Sequence, residues 1–373
     1  MSQISLELCV LASIIFTLLL YQQYSYDLAS LLHHELTRRV KVPPSDQNAQ
    51  TITDSDLIGV GLLPGPEDIA YDARSRLIYT GCDDGWIKQV TTNESVSDSV
   101  VSNWVNTGGR PMGLALGRNS DVYVADAYKG LLKIGGNGKV EQLTNKAEGL
   151  KFKCTDGIAV AKNGTIYFTD ASFKYGLKDY LVDILEGEPH GRFMSYNPSN
   201  RRTQVLVNHL YFANGVAVSP QQDFVIFCET AKRRCRKYSL EGKREGKVDK
   251  FIDNLPGMPD NIKYDGEGHF WIAIAKPVTV RWNLALRFPL LGKILVVFWK
   301  YFQETQVEMD GGFVVVDLNG ERIAYYHDFG LSLVSSGRKI QSYVYCGSYY
   351  YPYIVRLNVT RFVRHSSLSR KKY

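Results

Sequence analysis

The sequence predicts an all-β, six-bladed β-propeller preceded by an N-terminal hydrophobic helix, and three observations carry that expectation. Beyond residue 55 the chain is almost entirely short alternating strand patterns, broken by Gly and Asp turns. One phrase recurs: a small or polar pair, alternating apolar residues, a turn, then an aromatic-rich strand ending in Thr, Ala or Asp. Its copies start at residues 67, 112, 156, 214 and 260, spacings of 45, 44, 58 and 46. That is a propeller period, because one four-stranded sheet cannot bury both faces until neighbours stack on it.

The first copy runs from Glu67-Asp68-Ile69-Ala70 to Leu77-Ile78-Tyr79-Thr80, and the second from Met112-Gly113-Leu114-Ala115 to Val122-Tyr123-Val124-Ala125-Asp126. The third joins Asp156-Gly157-Ile158-Ala159 to Ile166-Tyr167-Phe168-Thr169-Asp170. The fourth joins Asn214-Gly215-Val216-Ala217 to Phe224-Val225-Ile226-Phe227, and the fifth Asp260-Asn261-Ile262-Lys263 to Phe270-Trp271-Ile272-Ala273. A degenerate sixth lies near Ser342–Gly347. Residues 55–358 shared among six blades give about 50 each, with insertions at 173–192 and 279–306. The second insertion is apolar with Arg287, Lys293 and Lys300 interspersed. It can lie in a membrane interface, form a lid over the propeller mouth, or pack on blade edges. Three charges and Pro289 argue against a transmembrane span there.

The remaining segments flank the propeller. Leu8–Tyr21 is uncharged and mostly apolar, so residues 1–26 read as a signal anchor or a cleaved signal peptide, with a buried core helix as the plain alternative. Residues 27–54 read as a polar stalk and 359–373 as a basic tail. The composition of the 373 residues (45% hydrophobic, 22% charged) excludes a disordered, collagenous or coiled-coil chain. The net charge of +6 is mild, and no basic-aromatic stripe points to nucleic acid. Asn93, Asn163 and Asn358 each head an Asn-x-Ser/Thr triplet, the pattern of a lumenal glycoprotein. The six cysteines make no zinc pattern. Cys228 and Cys235 flank a hairpin turn, where they are either a disulfide or two buried thiols.

In a propeller the innermost strand of each blade lines the channel, so the repeated pair brings Glu67, Asp156, Asn214, Asp260 and Asn261 toward one axial point. Carboxylate and amide oxygens without Cys or His are the ligand set of a hard cation, Ca²⁺ before Zn²⁺. The plain alternative is that Asp and Asn cap turns at strand starts.

These residues also carry a family resemblance. The chain resembles the strictosidine synthase-like family, which includes the adipocyte plasma membrane-associated proteins, within a wider group of calcium-dependent lactonases and paraoxonases. The resemblance spans about 55–358 and is densest from Asp156 to Leu240, through Tyr167-Phe168-Thr169-Asp170-Ala171-Ser172, Asp179–Glu186, Gly191-Arg192 and Phe212–Ser219. Leu255–Ile262 and Pro64–Asp68 extend it. It implies a six-bladed propeller with one axial Ca²⁺, held by Glu67, Asn214, Asp260 and Asn261, with Asp156 where relatives carry an Asn-Asp step. Two departures matter. Met112 stands where the paraoxonases carry a catalytic His, and Met accepts no proton. Leu333 stands where strictosidine synthases carry their catalytic Glu, so synthesis of strictosidine is not expected.

The expected function is thus a metal-dependent ester or lactone hydrolase on a small-molecule substrate. A non-catalytic binding propeller and an amine–aldehyde condensing enzyme are the alternatives, and the catalytic base is unassigned. The expected setting is the secretory pathway (endoplasmic reticulum membrane or lumen, or vacuole), with membrane attachment through the N-terminal segment.

Overall fold

The computed structural model describes residues 49–51, 55–277, 279–288, 311–328 and 333–359, with isolated positions near 11–15 and 291–296. The N-terminal hydrophobic helix, most of the stalk and the basic tail lie outside the described residues, apart from Leu11, Ser13 and Ile15, which are helical. Among the described residues no helix is long and apolar enough to cross a membrane.

Six antiparallel sheets follow one another around an axis. Their innermost strands are Ile69–Asp72, Pro111–Leu116, Thr155–Val160, Ala213–Val218, Gly257–Tyr264 and Val334–Ile340, in blades one to six. Five of these strands contain the repeated phrase or directly follow its polar pair. The aromatic-rich half of the phrase is the second strand of the same blade, as in Leu77–Gly81 and Phe224–Glu229. The sixth blade takes its outermost strand from the beginning of the propeller: Ser55–Ile58 pairs antiparallel with Ile354–Asn358. Ala49–Thr51, within the expected stalk, adds a parallel fifth strand to blade five against Arg322–Asp328.

The core lies between blades, which explains the alternation within each strand. Ile78 packs with Ile58 and Ile354 of blade six, whereas its neighbour Tyr79 packs with Leu114 and Val124 of blade two. Phe168 faces blade two and Tyr167 faces blade four, and Phe270 and Trp271 divide in the same way between blades four and six. A strand buried on both faces reads as a continuous apolar run with β-branched and aromatic residues, and these do.

The two long spacings in the repeat are real insertions. Helix Tyr180–Glu186 lies between the second and third strands of blade three, and helix Val280–Arg287 occupies the same connection in blade five. Thr279 caps the second helix by accepting from the Trp282 N–H. The helices pack together through Val182, Leu185 and Ala285, and Val296 joins the same cluster from beyond the second helix.

Cys228 and Cys235 are directly opposed in adjacent strands of blade four and form a disulfide. Cys82, Cys154 and Cys346 are buried free thiols. The disulfide closes a short loop, so its reduction is expected to cost about 2–3 kcal/mol. A melt with and without reductant measures the loss, and unreduced, alkylated protein analysed by mass should carry no label at 228 or 235.

Candidate functional site

The polar pairs begin their inner strands at irregular points in the ladder. Register shifts fall between Pro111 and Leu114, Thr155 and Ile158, Ala213 and Val216, Pro259 and Ile262, and Val334 and Ser336. In blades two to five the bulge falls at the repeated pair, and blade six has one at the start of its inner strand. The second member is Gly in blades two, three and four because adjacent blades touch there. A Cβ on Gly157 would lie 2.5 Å from the Asn214 carbonyl oxygen, and one on Gly215 would lie 2.5 Å from that of Asp260.

The result is a buried acidic cluster. Glu67, Asp156, Asn214 and Asp260 line one cavity of about 150 Å³. One oxygen from each of Glu67, Asp156 and Asp260 lies within 4.8 Å of the others. Glu67 Oε2, Asp156 Oδ1 and Asn214 Oδ1 are buried and accept no hydrogen bond. Burial, then the charges of Asp260 and Asp156, hold the Glu67 carboxyl well above the usual range. Burial with Asp68 nearby pushes Asp156 up to about 7, and burial with Asp156 raises Asp260 well above its ordinary value.

Buried acceptors are normally satisfied, and three orphaned oxygens on residues lining one cavity fit a hard cation better than turn-capping. Ligands at roughly 2.3–2.6 Å from Ca²⁺ can stand up to about 5 Å apart, which the spacing allows. Neighbouring Asp68 makes the contrast. It accepts from the backbone N–H groups of Ile69 and Leu114 and from Lys263 Nζ at 2.6 Å, tying blades one, two and five across the channel.

Asn261, expected in the same cluster, joins it through Glu67. Its Nδ2 donates to Glu67 Oε1 at 2.8 Å, and it does not line the cavity. It therefore orients Glu67 from behind. Met112 lines the cavity, so the position offers a thioether where a proton acceptor was sought. Leu333 is buried with a φ of 53°, donates its N–H to the Ala275 oxygen, and does not line the cavity. Asn93 and Asn163 are exposed, and Asn358 is half-buried at the end of its strand.

Several wall residues were not anticipated from the sequence. Arg110, 2% exposed, precedes the second repeat and donates to the Gly65 and Gly81 oxygens. Its charge lowers the Glu67 and Asp156 pKa values against burial. Tyr180 and Tyr349, 169 residues apart, line the cavity with their hydroxyls 3.1 Å from each other. Burial raises both phenols above their ordinary range. Leu177, Leu181, Ile184 and Trp282 bring both helical insertions over the opening. As far as it is described, the 279–306 insertion gives Trp282 to the cavity wall and packs against the first insertion.

The first lid helix is pinned from below. Asp183 accepts from Ser172 Oγ at 2.6 Å and from His190 Nδ1 at 2.9 Å, all three residues being buried. Asp183→Ala would orphan both donors at an expected cost of about 1–3 kcal/mol. Limited proteolysis should then cut faster within 173–190 than in the unsubstituted protein.

Fold and site together define a six-bladed propeller with a buried acidic pocket on its axis. The chain belongs to the strictosidine synthase-like family. Residues 156–243 match the family description "Strictosidine synthase" and residues 47–90 "Strictosidine synthase-like, N-terminal". The chain is 48% identical over 359 residues to protein STRICTOSIDINE SYNTHASE-LIKE 6 of Arabidopsis thaliana, covering 95% of both. It is 32% identical to the adipocyte plasma membrane-associated protein of Gallus gallus, over 84% of this chain and 78% of that one. Among solved structures it is similar to a gluconolactonase from Xanthomonas campestris (TM-score 0.58, 14% identity, 82% and 90% covered). It is also similar to a calcium-binding regucalcin from Agrobacterium tumefaciens (TM-score 0.55, 13% identity, 83% and 95% covered). At such identities the structural likeness establishes the fold.

Proposed function

We propose that the protein is a calcium-dependent hydrolase of esters or lactones, with Glu67, Asp156, Asn214 and Asp260 as the cation's ligands. The observation that carries this reading is the set of three buried, unpartnered oxygens on Glu67, Asp156 and Asn214 in one cavity. A cation there supplies a fixed positive charge toward a substrate carbonyl oxygen. The chain's own groups do the rest. Leu181, Ile184, Phe212, Met258 and Trp282 take the hydrocarbon part of the substrate and exclude water. The Tyr180 and Tyr349 phenols, kept protonated by burial, offer O–H donors to developing negative charge. Asn261 holds Glu67 in place. A gluconolactonase and a calcium-binding regucalcin share this fold, which supports the reading.

The test is an aryl-ester and lactone panel on purified protein, with and without chelator, repeated for Glu67→Gln and Asn214→Ala. Calcium-dependent turnover lost in both variants is the expected result. A protein that binds no divalent cation and turns over nothing on the panel overturns it.

A second reading is a non-catalytic binding propeller. Met112 favours it, because no His lines the cavity among the described residues. Turnover unchanged in both variants would point that way. Condensation of an amine with an aldehyde is disfavoured, since Leu333 can accept no proton and lies outside the cavity wall. We place the protein in the secretory pathway, in the endoplasmic reticulum membrane or lumen or the vacuole. The Cys228–Cys235 disulfide supports an oxidising compartment. Glycosidase-sensitive mobility through Asn93, Asn163 or Asn358 tests that placement.

A further inference from the structure

The six inner strands set six equivalent residues at one height of the central channel, and two of them differ in kind from the rest. In blades two to four the position is Ala115, Ala159 and Ala217, paired with Tyr123, Tyr167 and Ile226 of the second strand. Blade one has Ala70 opposite Tyr79. In blades five and six the same position is Lys263, opposite Trp271, and Arg338, opposite Tyr345.

Four methyl groups leave room that two long cations enter. Ala115 and Ala159 remain half-buried at mid-blade, where a filled axis would cover them. Lys263 reaches across from blade five. Its Nζ meets Asp68 Oδ2 of blade one at 2.6 Å and the Leu114 oxygen of blade two at 3.4 Å. Arg338 donates from Nη1 to the Tyr264 oxygen at 3.3 Å, while its Nε is buried and has no partner.

The charges at this height do not balance. Asp68 is fully buried, pairs with Lys263, and its field reaches Arg338 as well. Asp265 also reaches Arg338, but its oxygens accept from the Glu267 and His269 N–H groups and from the Trp271 indole. Burial is the largest influence on Arg338 and lowers its pKa against both acids. Glu67, Asp156 and Asp260 stand nearer the strand starts, where burial draws them toward their neutral forms. Lysine and arginine carry donors only, so the unpartnered Nε calls for an acceptor. Water accepts but leaves the excess charge buried, whereas a monovalent anion answers both needs.

We infer that the channel beneath the acidic cavity holds a small monovalent anion of the halide class, seated within the alanine ring against Arg338 Nε and the Lys263 ammonium. The site shares no residue with the proposed cation ligands, and it stands whether or not the protein is a hydrolase.

The experiment uses the full chain and two probes, bromide and chloride. Crystals grown in bromide should give an anomalous peak in the channel within hydrogen-bond reach of Arg338 Nε and Lys263 Nζ. In solution, chloride exchanged for isethionate at constant ionic strength should raise the thermal midpoint by about 2–4 °C and then saturate. Arg338→Met and Lys263→Met should each remove that rise. A channel without a bromide peak, with water on the Arg338 Nε, would overturn the inference even if neither variant folds. So would a chloride response of equal size in Arg338→Met and the unsubstituted protein, or one that climbs without saturating.

Discussion

Chelation of calcium is expected to lower the thermal midpoint by several degrees, and Glu67→Gln to abolish that difference while raising the midpoint of the chelated protein. The expectation follows from three buried carboxylates whose oxygens lie within 4.8 Å of one another. Without a cation they repel, and burial penalises each charge. A ligand binding only the folded state at 100 times its Kd adds about 2.7 kcal/mol, or roughly 4 °C for a domain of about 300 residues. Removing one carboxylate relieves the repulsion and removes a ligand together.

The pH dependence gives a second readout with a definite sign. Glu67, Asp156 and Asp260 all have folded pKa values above their unfolded ones. Their stabilising contribution in chelated protein is therefore fully present below the ordinary carboxylate value. It is lost as pH rises, for Asp156 between 3.8 and about 7. Protons compete with the cation, so the calcium increment should grow across the same window. Parallel pH profiles with and without calcium would remove the cation site from consideration.

Gly215→Ala is the second large effect. Its Cβ would lie 2.5–2.6 Å from the Asp260 oxygen, Asn261 Cα and Ile262 N. All three are backbone atoms of the next inner strand and have no side-chain freedom with which to yield. Blades four and five must part, at an expected cost of 1–3 kcal/mol or more. Asp260 moves with its strand, so calcium should stabilise this variant less than the unsubstituted protein. Gly136→Ala is the control, because nothing lies within 4 Å of that Cβ and the change should be close to neutral. Equal melts and equal calcium shifts for the two variants would contradict the packing argument.

Much of the architecture was legible because a propeller writes itself into its sequence. Every blade repeats the same burial problem, so Ile69-Ala70, Leu114-Ala115, Ile158-Ala159 and Val216-Ala217 repeat the same solution. The polar pairs were legible for the same reason, since equivalent positions of a ring must converge. The hydrogen bond of Asn261 was not legible, because a repeat gives the strand position of a residue and not the side chain it meets, here Glu67, 194 residues away. Arg110 and Tyr349 carry no periodic signal. Tyr180 and Trp282 sit in insertions, and only the connection that each insertion occupies could have pointed to the cavity. The parallel strand Ala49–Thr51 breaks the antiparallel pattern and has no counterpart in the repeat.

The pairing of Ser55–Ile58 with Ile354–Asn358 has a consequence for biogenesis. Ser55–Ile58 leaves the ribosome early and finds its partner only about 300 residues later. At roughly 5–20 residues per second, that strand and the unfinished sixth blade wait about 15–60 s with an open edge. Such an edge is a template for pairing with other chains. The interval sets a demand on chaperones that chain length alone would not reveal, and a ribosome-bound chain ending before residue 354 should remain an open ring.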